Sequence, residues 1–203
     1  EGLKVEKTAA HITGVPQQDK DRRSFTPEEL SQYEQFLRAK PLDIRTIGLF
    51  TIWLGLRPME IGGLTHGELF LDVNIPYIDL KFNHIRRLKT HASIRKLPLT
   101  SDATDLMRDY LATQKNKLPN DPIFAKFGRD GGTDPLSTAL RNIIRRQMGI
   151  DDPRLVPYST RHTMKDKLRA IRTPEIYQLR ITGNKDRNPI AEGYGEGDPM
   201  LFI

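Results

Sequence analysis

The chain has no cysteine among its 203 residues, which excludes disulfides, thiolate metal sites, iron–sulfur clusters and cysteine nucleophiles together. Its five histidines (His11, His66, His84, His91 and His162) are scattered, and none pairs with another at helical ligand spacing. A phosphate-cradling P-loop, a GxGxxG turn and a GxSxG nucleophile elbow are all missing. Long apolar runs are missing too. The longest, Ile47 to Leu56, is ten residues and contains a Thr and two Gly, where a membrane span needs about 20 apolar residues. The N-terminal segment EGLKVEKTAAHITG has no apolar stretch of signal-peptide kind. What remains is chemistry without metal or cofactor, or pure binding. The absence of cysteine fits a reducing interior, and the expected location is cytoplasmic.

The hydrophobic share of 37% beside 29% charged residues suits one packed domain. Thirty-two Lys and Arg against 26 Asp and Glu give +6, a balance compatible with a polyanionic partner and shared by many ordinary basic domains. Residues 1–24 are polar, broken by Gly14 and Pro16, and end in the run DKDRR, which reads as a linker or extended arm. Such an arm suggests a preceding domain, with the packed domain covering 25–203. Thr26-Pro27-Glu28-Glu29 is a helix start with a capping box, and that helix should run to about Arg38. From Pro41 to Gly55 apolar residues surround the helix on most sides, as expected of a central core element. Pro58 opens a short helix, PMEIGGL. Short strands are expected around 68–72, 77–82 and 96–100. Further helices are expected from Ser101 as cap, over 135–148, over 159–172 and from Thr173-Pro174-Glu175 onward. The fold class is therefore α+β, mainly helical with one small antiparallel sheet.

Three local features could carry chemistry. The stretch HIRRLKTHASIRK, residues 84–96, holds five Lys or Arg and no acid. Between strands it forms a basic hairpin, suited equally to a DNA backbone or to a solvated surface. Arg57 lies at a break after an apolar helix, where an unpaired charge is expensive to bury, so it pairs with Glu60 or faces an anion. Arg161 starts another helix after the loop VPYST. Two guanidiniums converging on one phosphate can each donate two hydrogen bonds, which Lys cannot do.

Four segments taken in order resemble the catalytic domain of the tyrosine recombinases, the phage-integrase family. They are LGLRPMEIGGLTHGEL, RLKTHASIRKLPLT, VPYSTRHTM and ITGNKDRNPIAEGYG, and the resemblance covers roughly residues 25–197. It implies a site-specific DNA recombinase or integrase, encoded by a prokaryote, phage or mobile element, working without cofactor or metal. It implies that Arg57 and Arg161 clamp the scissile phosphate, that Lys89 protonates the leaving 5′ oxygen, and that Tyr194 attacks phosphorus to give a 3′-phosphotyrosyl link. Glu60 would orient Arg57, and His162 would be a structural partner. Arg86, Arg87, Arg95, Lys96, Arg141 and Arg145 are the expected contacts to double-stranded DNA. The implied assembly is a homotetramer on two DNA sites, with the isolated domain a monomer.

Two positions depart from the pattern. Tyr158 stands where a His or Lys is usual, and Asn184 where a His or Trp is usual. Neutral Tyr is a poorer base than His near pH 7, and Asn can donate a hydrogen bond but carries no proton. A catalytically impaired DNA-binding remnant is therefore the alternative reading, with a type IB topoisomerase as a third.

Overall fold

The computed structural model describes residues 22–86, 88, 91–115 and 117–184. Arg87, Lys89 and Tyr194 lie outside the described residues, as does nearly all of the expected arm.

Helix α1 (Pro27–Arg38) begins as its sequence dictates. Thr26 Oγ1 accepts from the Glu29 amide at 3.2 Å, and Glu29 Oε2 accepts from the Thr26 amide at 2.9 Å. A cap of this kind stabilises a helix by about 1 kcal/mol. The helix buries Leu30, Tyr33 and Leu37 and packs on α2 (Leu42–Leu54), which is apolar on most sides and lies at the centre of the core. Each fully buried Leu, Ile or Phe there contributes roughly 1.5–3 kcal/mol. Helix α2 also contacts α3 (Pro58–Gly62), α4 (Ser101–Ala112), α5 (Thr133–Asn142) and α6 (Ser159–Ala170). It ends at Gly55, whose left-handed φ of 62° turns the chain toward Arg57.

The sheet has three antiparallel strands in the order β1 (Leu69–Phe70), β2 (Tyr77–Leu80), β3 (Arg95–Pro98). Ile78 faces Leu69 on one side and Leu97 on the other, and Leu80 faces Arg95. Alternation along β2 sends Ile78 and Leu80 into the core and leaves Tyr77 and Asp79 partly exposed. The sheet is shorter than expected. Glu68 and Asp72 fall outside β1, and β3 starts and ends earlier than residues 96–100. Leu69–Phe70 adds two residues at the edge of β2, and Tyr77–Leu80 and Arg95–Pro98 form the longer ladder. The basic stretch therefore lies mostly in the connection between them, which holds a 3-10 turn at His91–Ser93.

Three helix boundaries also move. Thr100, not Ser101, caps α4, because its Oγ1 accepts from the Ala103 amide at 3.3 Å. The element expected over 135–148 begins at Thr133 and loosens into a π turn at Ile143–Gln147. Helix α6 stops at Ala170, and Arg172 takes a φ of 55° before α7 (Glu175–Thr182). Residues 23 and 24, expected as part of an arm, are tied to the body. Arg23 pairs with Glu29 at 2.6 Å and with Asp152 at 2.7 Å, and Ser24 Oγ donates to Asp166. None of the described helices is long and apolar enough to cross a membrane.

Candidate active site

Arg57 sits in extended backbone directly before α3, with Pro58 at the first helical position and Glu60 at the third. The spacing makes Glu60 both cap and partner. Its Oε2 accepts from the Arg57 amide at 2.9 Å, and its Oε1 receives Arg57 Nη1 at 2.7 Å. Glu60 is only 3% exposed and serves two further arginines. Arg95 reaches it with Nη1 at 3.3 Å and Nη2 at 3.2 Å, and Arg161 Nη1 lies 4.0 Å away. Burial alone would raise the Glu60 carboxyl, but Arg95, Arg161 and Arg57 together carry it below the usual range.

Arg161 enters from the first turn of α6 and is 1% exposed. Its Nη1 donates to the Gly55 carbonyl at 3.0 Å and its Nη2 to Asn184 Oδ1 at 3.2 Å, while Nε has no partner among the described residues. Burial, then repulsion from Arg57, pulls its guanidinium down to about 10, against attraction from Glu60. It stays charged at neutral pH. Asn184 is delivered by the end of α7, where Gly183 has a φ of 55° and the Asn184 amide donates to Leu179 O at 3.0 Å. With Oδ1 occupied by Arg161, the amide nitrogen of Asn184 is the group left to donate.

Tyr158 lies one turn before Arg161. The Arg22 guanidinium sits over its ring at 5.4 Å, and His162 meets it edge-on at 5.4 Å. His162 is half-buried; burial first, then Lys165 and Arg22, lower its pKa, so it is neutral at pH 7. Beside these residues opens a cleft of about 540 Å³, lined by Arg22, Arg57, Arg141, Arg145 and Tyr158 over an apolar floor that includes Met59 and Pro157. Arg57 and Tyr158 line the cleft, whereas Arg161 is buried and does not. A preorganised cluster of guanidiniums can stabilise negative charge beside it.

The expected DNA contacts divide. Lys96 and Arg141 are exposed, Lys96 with its ammonium 5.4 Å from the Tyr77 ring centre. Arg86 is 4% exposed, its guanidinium ion-paired with the buried Glu68 and donating to the Glu60 and Lys81 carbonyls at 3.0 Å each, so its donors are engaged with the framework. The side chain of Arg95 is likewise only 7% exposed and directed at Glu60. Arg145 lines the cleft but is anchored, donating to the carbonyls of Ile150 at 2.6 Å and Leu155 at 2.8 Å. Sequence reasoning missed Arg22, Arg23 and Glu68. Only Glu68 had a local signal, the Thr65-x-x-Glu68 capping pattern, in which the Thr65 amide donates to Glu68 Oε2 at 2.9 Å. Among the described residues no group of three or more His, Asp or Glu side chains could hold a metal ion.

Solved structures of similar fold include the Tn1549 transposon integrase in complex with transposon right end DNA, with a TM-score of 0.60 at 15% identity. That match covers 86% of this chain and 62% of the integrase chain. XerA recombinase is similar at a TM-score of 0.61 and 14% identity, with 88% and 61% of the two chains covered. This chain thus spans less than two thirds of the length of those proteins. No curated protein matches it. The model of the phage integrase family matches residues 23–174, which runs from the first anchored arginine to the threshold of α7. The chain belongs to the phage integrase family.

Proposed function

We propose that this chain is the catalytic domain of a site-specific tyrosine recombinase, which cleaves and rejoins double-stranded DNA through a 3′-phosphotyrosyl intermediate. The observation that supports this reading is the convergence of Arg57, which lines a basic cleft, and Arg161, from a distant segment, on one and the same buried carboxylate, that of Glu60. The two guanidiniums stabilise the charge that builds on the non-bridging oxygens as phosphorus becomes five-coordinate. The phenol oxygen of Tyr194 forms the new bond to phosphorus and gives its proton to solvent water. The bond to the 5′ oxygen breaks, and that oxygen takes a proton from Lys89. Attack by a 5′ hydroxyl reverses these steps and reseals the strand, so bond energy is kept in the intermediate. Tyr158 and the Asn184 amide add hydrogen bonds to the phosphate. Lys96 and Arg141 steer the duplex by its backbone, which makes binding steeply salt-dependent. Strand exchange on two sites would engage four copies of the chain.

The test is covalent capture. The chain is incubated with an end-labelled pool of nicked duplexes of random sequence, and adducts surviving SDS are recovered and sequenced. A labelled adduct that disappears in both Tyr194→Phe and Arg161→Ala supports the reading. A retarded band on a native gel with no adduct supports a DNA-binding remnant instead, and relaxation of plasmids without site preference supports a topoisomerase.

A further inference from the structure

Arg95 does something in this site that neither a DNA contact nor a general framework role describes. It opens β3, and its donors are spent in three directions. Nη1 and Nη2 take the two oxygens of Glu60, Nε donates to the Ile181 carbonyl at 3.2 Å, and Nη1 also donates to the Ser93 carbonyl at 2.9 Å. Ile181 lies in the last turn of α7, two residues before Gly183. A Cβ on Gly183 would stand 2.5 Å from Arg95 Nη1 and 2.8 Å from its Cζ, so the turn rests directly on the guanidinium.

These contacts close a ring. Arg95 holds Glu60; Glu60 holds Arg57 and faces Arg161; Arg161 holds Asn184; and Asn184 follows Gly183, which lies against Arg95. Only a planar guanidinium can grip a carboxylate with two nitrogens and still donate sideways through Nε. Without Arg95, Glu60 is free to follow Arg57 alone, and the α7 turn loses the surface that sets the height of Asn184.

We propose that Arg95 is a positioning residue, which fixes Glu60 and the Gly183–Asn184 turn relative to one another and thereby sets the spacing of Arg57 and Arg161 on the scissile phosphate. The inference rests on the recombinase reading above. Arg95 itself does not touch DNA, and its contribution appears in the chemical step rather than in binding.

The experiment measures single-turnover adduct formation at saturating DNA, using nicked duplex recovered from the random pool. DNA affinity and the thermal midpoint are measured alongside. Four proteins are compared: the unaltered chain, Arg95→Gln, Gly183→Ala, and both together. Misplacement of a reacting group by about 1 Å costs on the order of 100-fold. Arg95→Gln is therefore expected to slow adduct formation on the order of 100-fold, with affinity changed by no more than about twofold. Gly183→Ala, which displaces the guanidinium without removing it, is expected to slow the same step, and the double variant to be no slower than the slower single one. Should Arg95→Gln not fold, Gly183→Ala carries the same rate-against-affinity comparison. Adduct formation at the unaltered rate would overturn the proposal. So would rate and affinity falling together in step with the folded fraction, or independent multiplication of the two single effects. Failure of the unaltered chain to form an adduct is a different result: it removes the recombinase reading, and this inference with it.

Discussion

The guanidinium of Arg161 donates to the backbone carbonyl of Gly55 at 3.0 Å, across 106 residues of sequence. The second arginine of the site is thus hung on the residue that ends the central helix, two positions before the first arginine. Gly55 is held left-handed, and a Cβ there would lie 2.7 Å from Met164 Cγ and 2.9 Å from Met164 Cβ.

Gly55→Ala should therefore act twice. The left-handed backbone costs about 1–2 kcal/mol for a residue with a Cβ, and the contact with Met164 pushes the carbonyl away from Arg161. Denaturant unfolding should show a loss of at least that size, with adduct formation reduced further than the loss of folded protein explains.

Arg86 and Arg141 should separate cleanly. Removing one partner from a buried ion pair costs about 3–5 kcal/mol, so Arg86→Ala should lower the unfolding midpoint steeply. Arg141→Ala, on the exposed flank of the cleft, should leave stability within about 0.5 kcal/mol. If it contacts one phosphate, the slope of log affinity against log salt should fall by about 0.9. Fluorescence anisotropy across a salt series reads the slope.

Acidification should reveal Glu60. Its carboxyl is held below the ordinary range by Arg95, Arg161 and Arg57 against the cost of burial. A carboxyl lowered in the folded state stabilises fully above its unfolded value, about 4.3, and loses that contribution as pH falls through the folded value. Unfolding midpoints measured from pH 7 down to 3 should decline for the unaltered chain. Glu60→Gln should start about 3–5 kcal/mol lower at pH 7 and decline less over the acid range.

Tyr158 should be improvable. A group able to move a proton near pH 7 is worth 10²–10⁴-fold when well placed. Tyr158→His should raise the rate of adduct formation, and Tyr158→Phe should lower it. Single-turnover kinetics at pH 7 would distinguish a hydrogen-bond donor from an idle ring.

The elements legible in the sequence are those decided within a few residues. Thr26-Pro27-Glu28-Glu29 specifies its own cap, and three-residue spacing puts Glu60 forward as one of two partners for Arg57, the other being an anion. The core position of α2 could be read from the apolar residues on most of its sides. The strands were harder, because two- to four-residue ladders carry little periodicity and turns decide where they stop. The arginines were hardest. Nothing near Arg86 or Arg95 in sequence announces burial, which depends on Glu68 and Glu60 arriving from other elements. A basic stretch thus looks uniform on paper while its members divide between interior and surface.

The π turn that follows α5 has its own consequence for evolution by insertion and deletion. At Ile143–Gln147 the helix accommodates an extra residue in one turn, and in that register Arg145 reaches the carbonyls of Ile150 and Leu155 while Arg146 stays outside. A π turn takes up one extra residue locally, so loss of a single residue within it would restore ordinary α-helical winding while the segments on either side keep their faces. A change in length of one residue here would be absorbed by the turn, leaving the buried Leu136 and Leu140 of α5 in place and costing at most the Arg145 anchor.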